Sequence, residues 1–255
     1  MPTTLRLDDH VAAIGTAADV LLDAAERAGL ETKVPTCPAW DVRQLVTHLG
    51  MVHRWAAASL RGDTGHRTDD SVAAAAAAPH LLTWFREGTD ALRAAIAEAP
   101  DDVEAMVFLR DAPPPRRFWA RRQAHETTIH GVDAIGAALG RTPTAAELDI
   151  DRDIAIDGID ELLCGFITRG KGKLRSEEPY TIAVAPAGGE RAWTVAVSDG
   201  SVVTTPGDPE SPDATFTGTA VQLYTGLWNR GDEIVSTGRP DALDMWHRQV
   251  KVRWS

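Results

Sequence analysis

The chain has 255 residues, 44% hydrophobic and 25% charged, with a formal net charge of −11 and a sequence pI near 5.1. A chain of this length and balance is globular and can bury a core without disulfide or metal staples. The acidity argues against a general nucleic-acid binder, which shows a basic face, but leaves room for a local basic pocket that takes an anionic small molecule. Two cysteines, Cys37 and Cys164, are too few for a disulfide framework and form no CxxC pair. "MPTTLRLDDH" at the start carries no apolar signal-peptide core. The longest apolar run, "VAAAAAAP" at 72–79, falls far short of the roughly 20 residues a membrane span needs. A cytoplasmic protein with neither nucleic-acid nor membrane partners is therefore expected. Arginine far outnumbers lysine and alanine is abundant, which fits a GC-rich genome.

The first helical pattern covers 8–29, with Val11, Ile14, Ala18, Leu21, Leu22 and Ala25 at helical spacing and Gly29 as a stop. Pro35 and Pro38 break the chain, and Trp40 or Asp41 opens a second helix that runs to about Leu60. After the loop "RGDTGHRTDD", residues 72–99 read as an alanine-rich third helix, with Pro79 as a point of interruption. The stiff "DAPPPRR" at 111–117 leads into a fourth helix, from about Arg116 to Leu139, stopped by Gly140 and Pro143. Four long helices with connectors predict a bundle. From 151 the character changes: one more helix to 168, a basic loop "RGKGKLR", then the β-like runs "YTIAVAP", "RAWTVAVSD", "SVVTTP" and "ATFTGT" with a turn at "SDGS". Helices follow at about 219–229 and in "PDALDMWHRQVKVRW". The fold class expected is α+β: a helix bundle over 1–145 and a small α+β domain over 146–255.

Chemistry concentrates in "QAHETTIHGVD" at 123–133. The segment resembles the zinc-protease pattern H-E-x-x-H, but its histidines, His125 and His130, are five apart and diverge by roughly 140° around a helix. They cannot easily share one ion. Glu126 and His130, four apart, lie within about 40° on one face and offer two ligands, so a third must come from elsewhere. "LVTHLGMVHRW" on the second helix offers His48 or His53, and periodicity does not choose between them. Two histidines and a glutamate leave an open coordination position, the pattern of a catalytic zinc, and the same donors suit iron or nickel. The plainer reading makes Arg122, Glu126, His130 and Asp133 one solvated polar stripe, worth tenths of a kcal/mol.

The segment "VPTCPAWDVRQLVTHLGMVHRWA" at 34–56, followed by E-x-x-x-H in "AHETTIHGVDA", resembles the mycothiol-dependent maleylpyruvate isomerase family. In layout the resemblance covers the whole chain. It implies a DinB-like four-helix bundle followed by a sterol-carrier-like α+β domain. It also implies a divalent metal, usually zinc, on His48, Glu126 and His130, which selects His48 over His53. Mycothiol is the implied thiol cofactor and a small molecule the substrate, in either cis–trans isomerisation or thiol S-transfer. A metal ion would deprotonate the thiol, and the thiolate is the nucleophile. Arg230 in "LYTGLWNRGD" matches an arginine position of the family's C-terminal domain, expected to meet an anionic substrate or thiol across a domain interface; the plainer reading is a helix-end arginine. Trp40 is expected to be a packing anchor, Cys37 a structural residue, Cys164 buried filler, and His53 and His125 supporting or surface residues. A zinc hydrolase using metal-activated water and a non-enzymatic small-molecule binder are the rival functions.

Overall fold

The computed structural model describes residues 4–109, 111–169, 173–189 and 191–251. The chain forms two compact units, one built from residues 5–108 and 112–143, the other mainly from residue 144 onwards. Residues 170–172 of the basic "RGKGKLR" loop and 252–254 of the last helical pattern lie outside the described residues.

The first unit holds α1 (Leu7–Ala28), α2 (Val42–Leu60), α3 (Thr68–Ala77), α4 (Leu81–Glu98) and α5 (Pro115–Leu139). The alanine-rich pattern over 72–99 is two helices, not one. Proline fixes its own φ and drives the preceding residue out of the helical region; Ala78 is extended before Pro79, and His80, also extended, caps α4. α2 begins at a capping box: the Asp41 side chain accepts from the Gln44 N–H, and the Gln44 side chain accepts from the Asp41 N–H. Proline at the first position of α5 and Gly140 at its end, with φ of 70°, give that helix its limits.

α1 packs along α5 and α2 along α4, while α2 also meets α5. Leu21, Val42, Leu45, Leu49, Trp84 and Phe85 form part of the common core. α2 and α4 come close because residue 50 is glycine, where a Cβ would overlap the Trp84 ring. Arg54 lies over that ring at 3.7 Å and donates to the carbonyls of Gly50 and Trp84. α5 is buried on every face over most of its length, polar residues included. The arrangement sets the second turn of α2 opposite the middle of α5.

The second unit contains α6 (Arg152–Asp160), which passes into a π-helical stretch at Glu161–Phe166, then β1 (Tyr180–Pro186), β2 (Trp193–Val197), β3 (Val203–Pro206), β4 (Ala214–Gly218), α7 (Ala220–Leu227), β5 (Val235–Gly238) and α8 (Ala242–Gln249). The sheet runs β3-β2-β1-β4-β5 and is antiparallel except for the central β1–β4 pair. Alternating Ile182, Val184, Val195, Val197, Ala214 and Phe216 bury one face, as period-2 patterning requires. Trp246 donates from Nε1 to the Leu227 carbonyl, tying α8 to α7, and Trp193 donates to Asp160 Oδ1, tying β2 to α6. Cys164 is not fully buried filler: it is only partly buried in the π-helical stretch, and its thiol donates to Asp160 Oδ1 at 3.5 Å. Among the described residues, no helix is long and apolar enough to cross a membrane.

Candidate metal centre

His48 on α2 and Glu126 and His130 on α5 come together inside the helical unit, their ligand atoms all within 4.8 Å of one another. His48 Nε2 lies 3.6 Å and His130 Nε2 3.3 Å from the same oxygen, Glu126 Oε1. The i,i+4 spacing on α5 puts the carboxylate and one imidazole side by side, and α2 carries the other imidazole across to them. The site is closed in: Glu126 is 4% and His130 7% exposed. The polar-stripe alternative fails on the same measure, since Arg122 and Asp133 are buried with them. His48 Nε2 and Glu126 Oε1 are both buried and make no well-formed hydrogen bond, only the longer contacts within the cluster. A polar atom left so costs roughly 1–3 kcal/mol, and a cation bound to both atoms would satisfy them together.

Each ligand is oriented by a neighbour. Arg122 Nη2 donates to Glu126 Oε2 at 2.9 Å, which turns Oε1 towards the histidines. His130 Nδ1 donates to Asp133 Oδ2 at 2.9 Å, so its Nε2 faces the cluster. The Trp40 ring lies 4.8 Å from the His48 ring and 6.0 Å from that of His130. It packs on both imidazoles, and its anchoring role thus extends to the cluster itself. Burial alone would raise the Glu126 pKa, but His130, His48 and Arg122 hold it well below the usual carboxylate range. Burial would lower that of His130, and Asp133 and Glu126 overcome this and push it up to about 9. The cluster is thus an anionic carboxylate facing nitrogen donors, and a metal ion would compete with the His130 proton for Nε2.

The other histidines of the motifs lie elsewhere. His53 is fully buried between Thr89 and Thr127, its ring nitrogens 3.1 and 2.9 Å from their hydroxyls. His125 is buried with its ring edge-on to His10 at 6.2 Å. Cys37 and Thr36, on the connection between α1 and α2, both bond the Asp133 carboxylate. Spacing had offered Asp133 only as a member of a stripe, and sequence gave no sign that Thr36 reaches it. Arg230 sits in the second unit, just past α7. Its N–H donates to the Thr225 carbonyl and its Nη1 to that of Trp228, both at 2.8 Å.

A helix bundle with two imidazoles and a carboxylate meeting at one buried point, in a chain that also carries a small α+β unit, defines a class: bundle proteins with a core cluster of side chains that could hold a cation. Two family models cover most of the chain. Mycothiol maleylpyruvate isomerase N-terminal domain matches residues 11–135, and MDMPI C-terminal domain matches 153–244. The chain belongs to the mycothiol maleylpyruvate isomerase family, as the "CPAWDVRQLVTHLG" and "AHETTIHGVDA" segments imply. Among solved structures it is similar to the crystal structure of the mycothiol-dependent maleylpyruvate isomerase, with a TM-score of 0.62 and 15% identity over 93% of this chain and 96% of that one. A histidine-to-alanine mutant carrying the same name aligns with a TM-score of 0.61 and 14% identity over the same shares. At such identity the likeness speaks for the fold alone. No curated protein matches.

Proposed function

We propose that this protein is a metal-dependent enzyme that uses a low-molecular-weight thiol, mycothiol, on a small electrophilic substrate, with a divalent ion, zinc above all, held by His48, Glu126 and His130. The observation that carries the reading is the meeting of three donor atoms at one buried point, two of them without a well-formed hydrogen bond. Two imidazoles and one carboxylate fit zinc with a position left open. Family membership supports the thiol and the isomerase reaction.

When bound, the ion lowers the pKa of a coordinated thiol, so that thiolate is available at neutral pH. The chain's own residues hold and shape the site. Arg122 fixes the Glu126 carboxylate, Asp133 fixes the His130 ring by its Nδ1 proton, and Trp40 shields both imidazoles from water. In isomerisation the thiol sulfur bonds to one carbon of a cis double bond conjugated to a carbonyl. The resulting single bond turns, and the same C–S bond breaks, returning the thiol and the trans product. In S-transfer the C–S bond is retained and the neighbouring carbon takes up a proton, so that the thiol has added across the double bond. Arg230 is proposed to contact the carboxylate of the substrate or of the thiol. We take the chain as two domains, 1–145 with the metal ligands and 146–255 with Arg230. Two free cysteines fit a reducing cytoplasm.

The test is isomerisation of maleylpyruvate by zinc-loaded protein with and without mycothiol. Turnover that needs both zinc and thiol and is lost in His130→Ala is expected. A thiol adduct accumulating instead of the trans isomer would assign S-transfer. Ester or amide turnover without thiol would make the protein a hydrolase, and absence of metal uptake would overturn the reading altogether.

A further inference from the structure

The connection between α1 and α2 does more than join two helices. Asp133 is completely buried, and its two carboxylate oxygens are divided between tasks. Oδ2 accepts from His130 Nδ1, while Oδ1 accepts from the Thr36 hydroxyl. The Cys37 thiol approaches Oδ2 at 3.7 Å. Three residues further on, Trp40 packs on His48 and His130. One short segment therefore reaches His130 along two routes, through hydrogen bonds to Asp133 and through ring contact. A carboxylate can rotate about its own axis; a donor fixed on one oxygen stops that rotation and points the other at the imidazole.

We propose that Thr36 and Asp133 are positioning residues for the metal centre: Thr36 locks the Asp133 carboxylate, and Asp133 locks the His130 ring in the tautomer and orientation that turn Nε2 towards a cation. This rests on the assignment of His130 as a metal ligand. Carboxylate partners of ligating histidines orient the ring and raise its basicity, and their loss costs about 10- to 100-fold in metal affinity. Thr36 acts one bond further out, so its effect is the smaller of the two. The tie explains why Thr36 and Cys37 lie at the site although neither offers a ligand to it.

Zinc affinity by chelator competition and the visible spectrum of the cobalt-substituted protein test this without any turnover. Asp133→Asn keeps the shape of the side chain and is expected to weaken zinc binding about 10- to 100-fold and to shift the cobalt bands. Thr36→Val removes only the hydroxyl and is expected to weaken binding in the same direction by less. Thr36→Ser restores the hydroxyl and with it wild-type affinity and spectrum. If Asp133→Asn fails to fold, the Thr36 pair decides the matter. Valine and serine variants that both match the wild type in affinity and spectrum would overturn the proposal while leaving the ligand assignment in place. A wild-type protein that takes up no divalent ion would overturn both.

Discussion

His53 illustrates how packing, not proximity in sequence, separates two histidines on one helix. It stands five residues after His48 but faces a different part of the core, where burial lowers its pKa to about 3. Its surroundings fix its tautomer. Thr127 donates its hydroxyl proton to the Gln123 carbonyl at 2.6 Å and so accepts from His53 Nε2–H, while the weaker Thr89 bond to Phe85, at 3.2 Å, leaves that hydroxyl to donate to Nδ1. A neutral ring satisfies both contacts. In an unfolded chain the same residue titrates near 6.5. Between these two values the unfolded state holds a proton that the folded state lacks, so stability falls as the pH falls through that window and is unaffected above it. The loss is about 1.4 kcal/mol per pH unit at its steepest. His53→Gln is expected to flatten that acid limb when urea midpoints are compared from pH 7 to pH 4 in chelator. Parallel limbs for the two proteins would refute the assignment. His48→Ala and His130→Ala should behave otherwise, abolishing stoichiometric zinc binding by metal analysis while leaving the His53 limb in place.

At the level of elements, glycines decide how closely α2 and α4 approach. Gly50→Ala would gain up to about 1 kcal/mol of helix propensity, yet its new methyl meets the rigid Trp84 ring. Overpacking of this kind costs about 1–3 kcal/mol, so a net loss in urea stability is expected. Gly88→Ala meets the end of the flexible Arg54 side chain instead and should lose less. Equal losses would show that the ring yields as readily as the guanidinium. Most long elements were legible in the sequence because their periodicity is strong, as in α1, and because α2 and α5 carry plain stop and start residues. Elements whose form depends on tertiary partners were not. β5 is four residues, "VSTG", with mostly exposed positions and no alternation to read; it exists by pairing with β4. The π-helical stretch at Glu161–Phe166 continues an apolar helical pattern unchanged, and only the backbone registers it. In the site, Glu126 and His130 were visible as an i,i+4 pair, whereas the choice of His48 came from family resemblance. The Thr36–Asp133 contact joins residues 97 apart and carries no local signal.

For the whole molecule, the two units differ in what a metal can do to them. All three proposed ligands lie in the helical unit, on α2 and α5, and none in the unit that holds the sheet. An ion that binds the folded state alone stabilises it by RT ln(1 + [L]/Kd), about 2.7 kcal/mol when free zinc is about 100-fold above Kd. If the units open independently, that gain belongs only to openings that break the site. Hydrogen exchange with zinc and then with chelator measures it locally. Zinc is expected to slow exchange in the middle of α2 and α5 and to leave β1, β2 and β4 unchanged, and His130→Ala should erase the difference. An equal slowing in the central strands would mean instead that sheet and bundle open as one cooperative body, so that metal binding on two helices stabilises the entire chain. That outcome would also tie Arg230, in the second unit, energetically to the metal ligands in the first.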